Sequence, residues 1–156
     1  VEGCHLLDIP IVVTEQYPKG LGTTVPELEL EKVNVTLKVE KTQFNMLTPQ
    51  VLEAMSSSLC KGSLKSIIIC GIESHVCVEQ TALELLSRGI TVHVVADCCT
   101  SRTLHDRSLA LQRLSQMGCI VSTYENVLFK LLGSKDHPKF KQISQLVREP
   151  SLNIGQ

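Results

Sequence analysis

The 156-residue sequence has no surplus of either charge: 15 basic against 16 acidic residues leave a formal net charge of -1. That provides no long-range field for a polyanion, which argues against nucleic acid as a partner. It also has no apolar run near the roughly 20 residues that a bilayer span requires. The longest, around Ser66-Ile67-Ile68-Ile69-Cys70-Gly71, is strand-sized, so the chain reads as soluble with no membrane partner. Paired metal ligands are missing as well. Cys98 and Cys99 are adjacent rather than spaced as C-x-x-C, and His5, His93, His105 and His137 form no H-x-H or H-x-x-x-H pair. No metal and no cofactor are expected. No G-x-G-x-x-G follows an apolar run, which discounts a dinucleotide-binding domain. Internal repeats and low-complexity blocks are absent too.

The seven cysteines are odd in number. With Cys70 and Cys119 in strand-like surroundings, where they are expected to be core residues, the set reads as free thiols in a reducing compartment, the cytoplasm. The length suits one domain with a sizeable core, expected over residues 1–146, followed by a disordered tail over 147–156.

Leu6-Leu7-Asp8 reads as the end of a helix leading into a strand over 11–14, with Pro10 tolerated at the strand's start. A long loop rich in turn formers follows, then an alternating strand over 35–39. Thr48-Pro49 is a helix start, Thr as N-cap and Pro at the first position; Val51, Leu52, Met55 and Leu59 recur at helical spacing and Gly62 ends the helix. The run over 66–71 reads as a strand buried on both faces, followed by a helix marked by Val76, Cys77, Ala82, Leu83 and Leu86 and closed at Arg88-Gly89. A strand over 91–96, a helix over 102–117, a short strand over 120–122 and a helix over 125–132 repeat the pattern. Such alternation predicts an α/β fold with a parallel sheet covered by helices.

Ligands of open parallel sheets sit outside the carboxyl ends of the strands, so strand-to-helix turns are the places to search. Cys77 lies in such a turn, near a helix N-terminus that favours a reactive thiolate. Position alone leaves a buried core thiol equally open. Lys41, at the end of a strand, would by itself be a solvated charge.

The segment from Gly71 to Ala82, G-I-E-S-H-V-C-V-E-Q-T-A, resembles the nucleophile turn of the isochorismatase-like cysteine hydrolases. Val39-Glu40-Lys41-Thr42-Gln43-Phe44 is similar to that family's strand-end lysine followed by Ser or Thr and then Phe. Val94-Val95-Ala96-Asp97 through Arg102 is similar to its V-x-D-A segment. The T-E-Q-Y-P and D-H-P-K-F-K stretches look like the animal isochorismatase domain-containing proteins. The resemblance implies a three-layer, Rossmann-like open parallel sheet, with Cys77 as nucleophile and Lys41 as the cation beside it. It implies a non-proline cis peptide between Ile72 and Glu73, with backbone N–H groups there and at Cys77 forming an oxyanion hole. Phe44, His75 and Tyr17 are expected to line the substrate, and Asp97 to cap and orient its loop. His75 is also weighed as a base for Cys77, although the family uses Asp and Lys. A homo-oligomer acting on a small molecule is the implied assembly and substrate class.

One departure is serious. The family's catalytic Asp belongs to a first strand ending near D-x-Q, between the strands over 11–14 and 66–70, and these 156 residues hold no such run. Asp8 is no substitute, because it precedes its strand, at the opposite end of the sheet. The sequence therefore reads as an N-terminally truncated member. Three explanations stand: a fragment or alternative product, a strand supplied by another chain, or a non-catalytic binding protein. The leading function is hydrolysis of a small-molecule amide or ester-like bond through Cys77. The alternative is a catalytically dead interaction protein on the same fold.

Overall fold

In the computed structural model, which describes residues 1–148, two parallel sheets alternate with helices, the α/β arrangement the apolar pattern predicts. A short helix α1 (Glu2–Leu6) leads to β1 (Ile11–Gln16), a helical turn α2 (Pro18–Leu21) and β2 (Val35–Lys41). Helix α3 (Pro49–Ser57) separates β2 from β3 (Ser66–Ile72), and α4 (Glu79–Ser87) separates β3 from β4 (Thr91–Thr100). Then come α5 (Leu104–Gln116), β5 (Ile120–Ser122), α6 (Tyr124–Leu132) and α7 (Phe140–Leu146).

Local chemistry sets several boundaries. Thr48, Thr103 and Thr123 each accept a backbone N–H from three residues ahead, capping α3, α5 and α6. Helix α3 stops at Ser57 rather than at Gly62, because Cys60 and Lys61 both adopt left-handed conformations (φ 50° and 55°) that no continuing α-helix accommodates.

Strands β1 and β2 pair in parallel, as do β3, β4 and β5 in that order. No hydrogen-bonded ladder joins the two sheets among the described residues, so β1 and β3 each keep one free edge. They nevertheless share a core: Val39 of β2, Ile69 of β3, Val92 and Val94 of β4, and Ala82, Leu85 and Leu114 of the helices form one buried cluster. A second cluster joins Leu128, Leu132 and Ile143 with Leu6, Phe140 and Val147, holding α1 against α6 and α7. Residues 149–156 of the expected tail lie outside the described residues.

The expectation that β3 is buried on both faces does not hold. Ile69 is buried in the main cluster, while Ser66, Cys70 and Ile72, on the alternate face, are exposed. Cys70 is therefore no core thiol, since its side chain keeps contact with solvent; Cys119 is buried, just ahead of β5. Opposite Cys70, β4 runs on irregularly: Ile69 pairs with Val94 but Gly71 pairs with Cys99. Arg107 of α5 braces this irregular stretch by donating to the carbonyls of Ala96 (2.6 Å) and Cys99 (2.8 Å).

Candidate active site

The carboxyl ends of β2 and β3 bring Lys41 and Cys77 together. Alternation along β2 turns Val39 and Lys41 to the same, inner face, and Lys41 is only 7% exposed. A buried ammonium needs acceptors for its three protons. The turn after β2 folds back to supply two, the carbonyls of Gln43 (3.0 Å) and Phe44 (2.9 Å). Gln16 Oε1, from the residue paired with Lys41 on β1, is the third at 2.5 Å. The Cys77 sulfur lies 3.8 Å from Lys41 Nζ. Burial pushes the Lys41 ammonium below the usual lysine range, while the facing Cys77 sulfur, as thiolate, pulls it back up. Among the described residues no carboxylate lies within ion-pair reach of Lys41.

Cys77 sits in a wide helical turn, Ser74–Val78, that continues into α4. The N–H groups of Val76 (3.1 Å) and Val78 (3.2 Å) both reach the Glu73 carbonyl, the latter across five residues as in a π-turn, a form that recurs at functional sites. The Ile72–Glu73 peptide at the head of this turn is cis.

Three contacts fasten the turn to the end of β4 and the loop beyond it. Ser74, fully buried, donates to the Thr100 carbonyl (2.9 Å), His75 Nδ1 meets Ser101 Oγ (3.0 Å), and the Glu73 carboxylate accepts the Arg102 N–H (2.6 Å). His75 is thus engaged on the β4 side, with Ser101 and, at 3.9 Å, the Glu73 carboxylate. Asp97 lies inside β4 rather than in the loop after it, and accepts the Tyr124 N–H (2.9 Å) at the start of α6.

Thr81 ties the two halves of the site together. Its hydroxyl donates to the Cys77 carbonyl (2.6 Å) and accepts the Met46 N–H (2.9 Å), joining the turn that carries Cys77 to the loop that wraps Lys41. Replacing Thr81 with Val keeps the shape but strands the Met46 donor. The expected loss is about 1–3 kcal/mol of stability, read from the denaturant midpoint.

An open depression of about 440 Å³ lies beside Lys41, lined by Tyr17, Lys19, Glu40, Gln43 and Gln50 among others. Tyr17 is on this wall; Phe44, His75 and Cys77 are not. Phe44 contributes its carbonyl to Lys41 while half of the residue stays exposed. Among the described residues, no three His, Cys, Asp or Glu side chains come together as a metal-binding group.

Sequence reasoning singled out Lys41 and Cys77 but missed Gln16 and Thr81. The signal for Thr81 was present, since a Thr four residues after a Cys in a helix can bond back to its carbonyl. Gln16 could be found only from the β1–β2 register.

Residues 1–126 match the family described as the isochorismatase domain. The chain is 48% identical over 155 residues to isochorismatase domain-containing protein 2 of Xenopus laevis, an alignment covering 99% of this chain and 73% of that protein. It is 45% identical over 155 residues to isochorismatase domain-containing protein 1 of Danio rerio, covering 99% of this chain and 53% of that protein, about half its length. A solved structure described as MAR1 ribonuclease from Caenorhabditis elegans superposes with a TM-score of 0.89 at 40% identity, covering 99% of this chain and 78% of that one.

Proposed function

This chain belongs to the isochorismatase domain family, and from that premise we propose that it carries the site of a cysteine hydrolase for small-molecule amide or ester-like bonds. Cys77 is the nucleophile and Lys41 its cationic partner. The observation that carries this reading is the 3.8 Å approach of the buried Lys41 ammonium to the Cys77 sulfur. A fixed cation at that distance favours the thiolate over the thiol, and the thiolate is the attacking species.

In the proposed reaction the thiolate adds to the carbonyl carbon. Backbone N–H groups around Glu73 and Cys77 hold the oxyanion that forms, and the C–N or C–O bond breaks to leave an acyl-thioester. The departing group needs a proton, and water must then be deprotonated to release the acid. Lys41 does not fill that acid–base role while its three protons are engaged, so a carboxylate is required. We place it on a strand seated between the free edges of β1 and β3, close to the Lys41–Cys77 pair.

The test is hydrolysis of a panel of amides and esters by this chain, alone and with an N-terminal strand bearing Asp ahead of Val1. Turnover that appears or rises with the strand supports the reading. No turnover in either form favours the second reading, a catalytically silent interaction protein, which rests on the lack of any carboxylate beside Lys41 among the described residues.

The C. elegans relative is described as a ribonuclease. For this chain the net charge of -1 gives little attraction for RNA and favours the small-molecule reading. The exposed side chains of Leu21, Val25 and Leu28, at 73%, 55% and 48%, support self-association through the segment between β1 and β2. A cytoplasmic location remains part of the proposal, supported by the seven free thiols.

A further inference from the structure

Glu15 sits one residue before Gln16, yet it points away from Lys41 and is only 6% exposed. A buried carboxylate needs donors, and three converge on Oε1: the Thr24 N–H (2.7 Å), the Thr24 hydroxyl (2.7 Å) and Lys38 Nζ (2.9 Å). Thr24 lies beyond the α2 turn, so these bonds close the chain back onto β1 and fix both ends of a loop over residues 16–24.

The loop's path is shaped for this closure. Tyr17 takes a left-handed conformation (φ 41°), and its N–H donates to the Lys41 carbonyl (2.8 Å). Gly20 lies so close under the Tyr17 ring that an added Cβ would collide with it, so no other residue fits there without moving the ring. Gly22, at φ 86°, supplies the turn that returns the chain toward Thr24. Gln16 is therefore held between two fixed neighbours, Glu15 latched by Thr24 and Tyr17 bonded to Lys41, with its Oε1 on the Lys41 ammonium and its Nε2 on the Thr42 carbonyl (2.7 Å).

We propose that Glu15 is a positioning residue: by latching the loop through Thr24, it aims Gln16 at Lys41 and so sets the ammonium against Cys77. The inference rests on the Lys41–Cys77 reading of the site. The Thr24 N–H, the Lys38 ammonium and the Thr24 hydroxyl hold the Glu15 carboxyl at about 2, below its usual 4.5. A depressed carboxylate stabilises the fold above the ordinary value and loses that contribution as pH falls through about 2. Lys38 and, across the β1–β2 register, Glu40 are the charged neighbours on the facing strand. The latch is thus fully ionised at any neutral assay pH, and its effect is separable from titration.

The experiment follows iodoacetamide labelling of Cys77 relative to the exposed Cys60 in the full chain at pH 7, for wild type, Glu15→Gln, Thr24→Val and Thr24→Ser. Release of the latch is expected to lower the Cys77-to-Cys60 ratio about threefold, because the ammonium is no longer held against the Cys77 sulfur. Thr24→Ser keeps both donors and should restore the wild-type ratio. General loosening of the fold would act in the opposite direction, raising labelling at Cys77 and opening the buried Cys99 and Cys119. Unchanged or raised ratios in both Glu15→Gln and Thr24→Val would overturn the latch while leaving the Cys77 assignment intact. A wild-type Cys77 that labels no faster than Cys60 would instead remove the site reading, and the latch with it.

Discussion

Replacing Cys77 with Ala is expected to abolish the acyl-enzyme burst with an activated ester such as p-nitrophenyl acetate, lowering the fast phase by about 10⁴-fold or more, the usual order for loss of a covalent nucleophile. The burst should be stoichiometric with protein in the wild type, because one thiol per chain lies beside a fixed ammonium. Two of the exposed thiols, Cys98 and Cys70, are poor substitutes at neutral pH. Burial and the nearby Cys70 and Asp97 push Cys98 up to about 11, so its thiolate fraction at pH 7 is about 10⁻⁴. Desolvation by the atoms packed around it also raises Cys70, although part of its side chain keeps contact with solvent. A burst that survived in Cys77→Ala would assign the chemistry to another group, and peptide mapping of the acylated protein would identify it.

The second large effect is expected at Lys41. Lys41→Met retains the length and much of the apolar stem but removes the charge, leaving the Gln16 Oε1 and the Gln43 and Phe44 carbonyls without their donor. Alkylation of Cys77 at neutral pH should fall about 10-fold or more, because the sulfur loses the cation set against it in the site. Lys41→Arg should not restore it, because a planar five-donor guanidinium does not fit three acceptors arranged around a point-like ammonium. The pH dependence has a definite sign. Burial makes Lys41 lose its proton below the usual lysine range, so its support for the thiolate fades as pH rises through that lowered point. In Lys41→Met this feature should vanish from the profile of labelling rate against pH, whereas a rate fall with the feature intact would place the cation elsewhere.

The parts of the fold legible in the sequence were those governed by local rules. The Thr48-Pro49 start of α3, the Arg88-Gly89 end of α4 and the alternation of strand and helix all follow from capping, glycine geometry and periodicity, and the structure places these elements within a few residues of the predicted bounds. What local rules could not supply was coverage. The apolar run of β3 looked buried on both sides, yet Cys70 and Ile72 are exposed because burial depends on what packs against a strand, not on the strand's own composition. At the site, Lys41 and Cys77 could be picked out because their surrounding motifs are contiguous. Gln16 could not, since its role depends on lying opposite Lys41 in the β1–β2 register. Glu15 was equally hidden: its partners Thr24 and Lys38 come from a loop return and from the neighbouring strand.

The central claim, that Cys77 is the activated thiol of this protein, is tested most directly by competition among its own cysteines. The folded chain is exposed to substoichiometric iodoacetamide at pH 7 and the modified peptides are mapped by mass spectrometry. Cys60, Cys70 and Cys98 are more exposed than Cys77, so accessibility alone favours them. The expected result is alkylation at Cys77 ahead of all three. Modification of Cys60 and Cys98 with Cys77 left untouched would contradict the assignment.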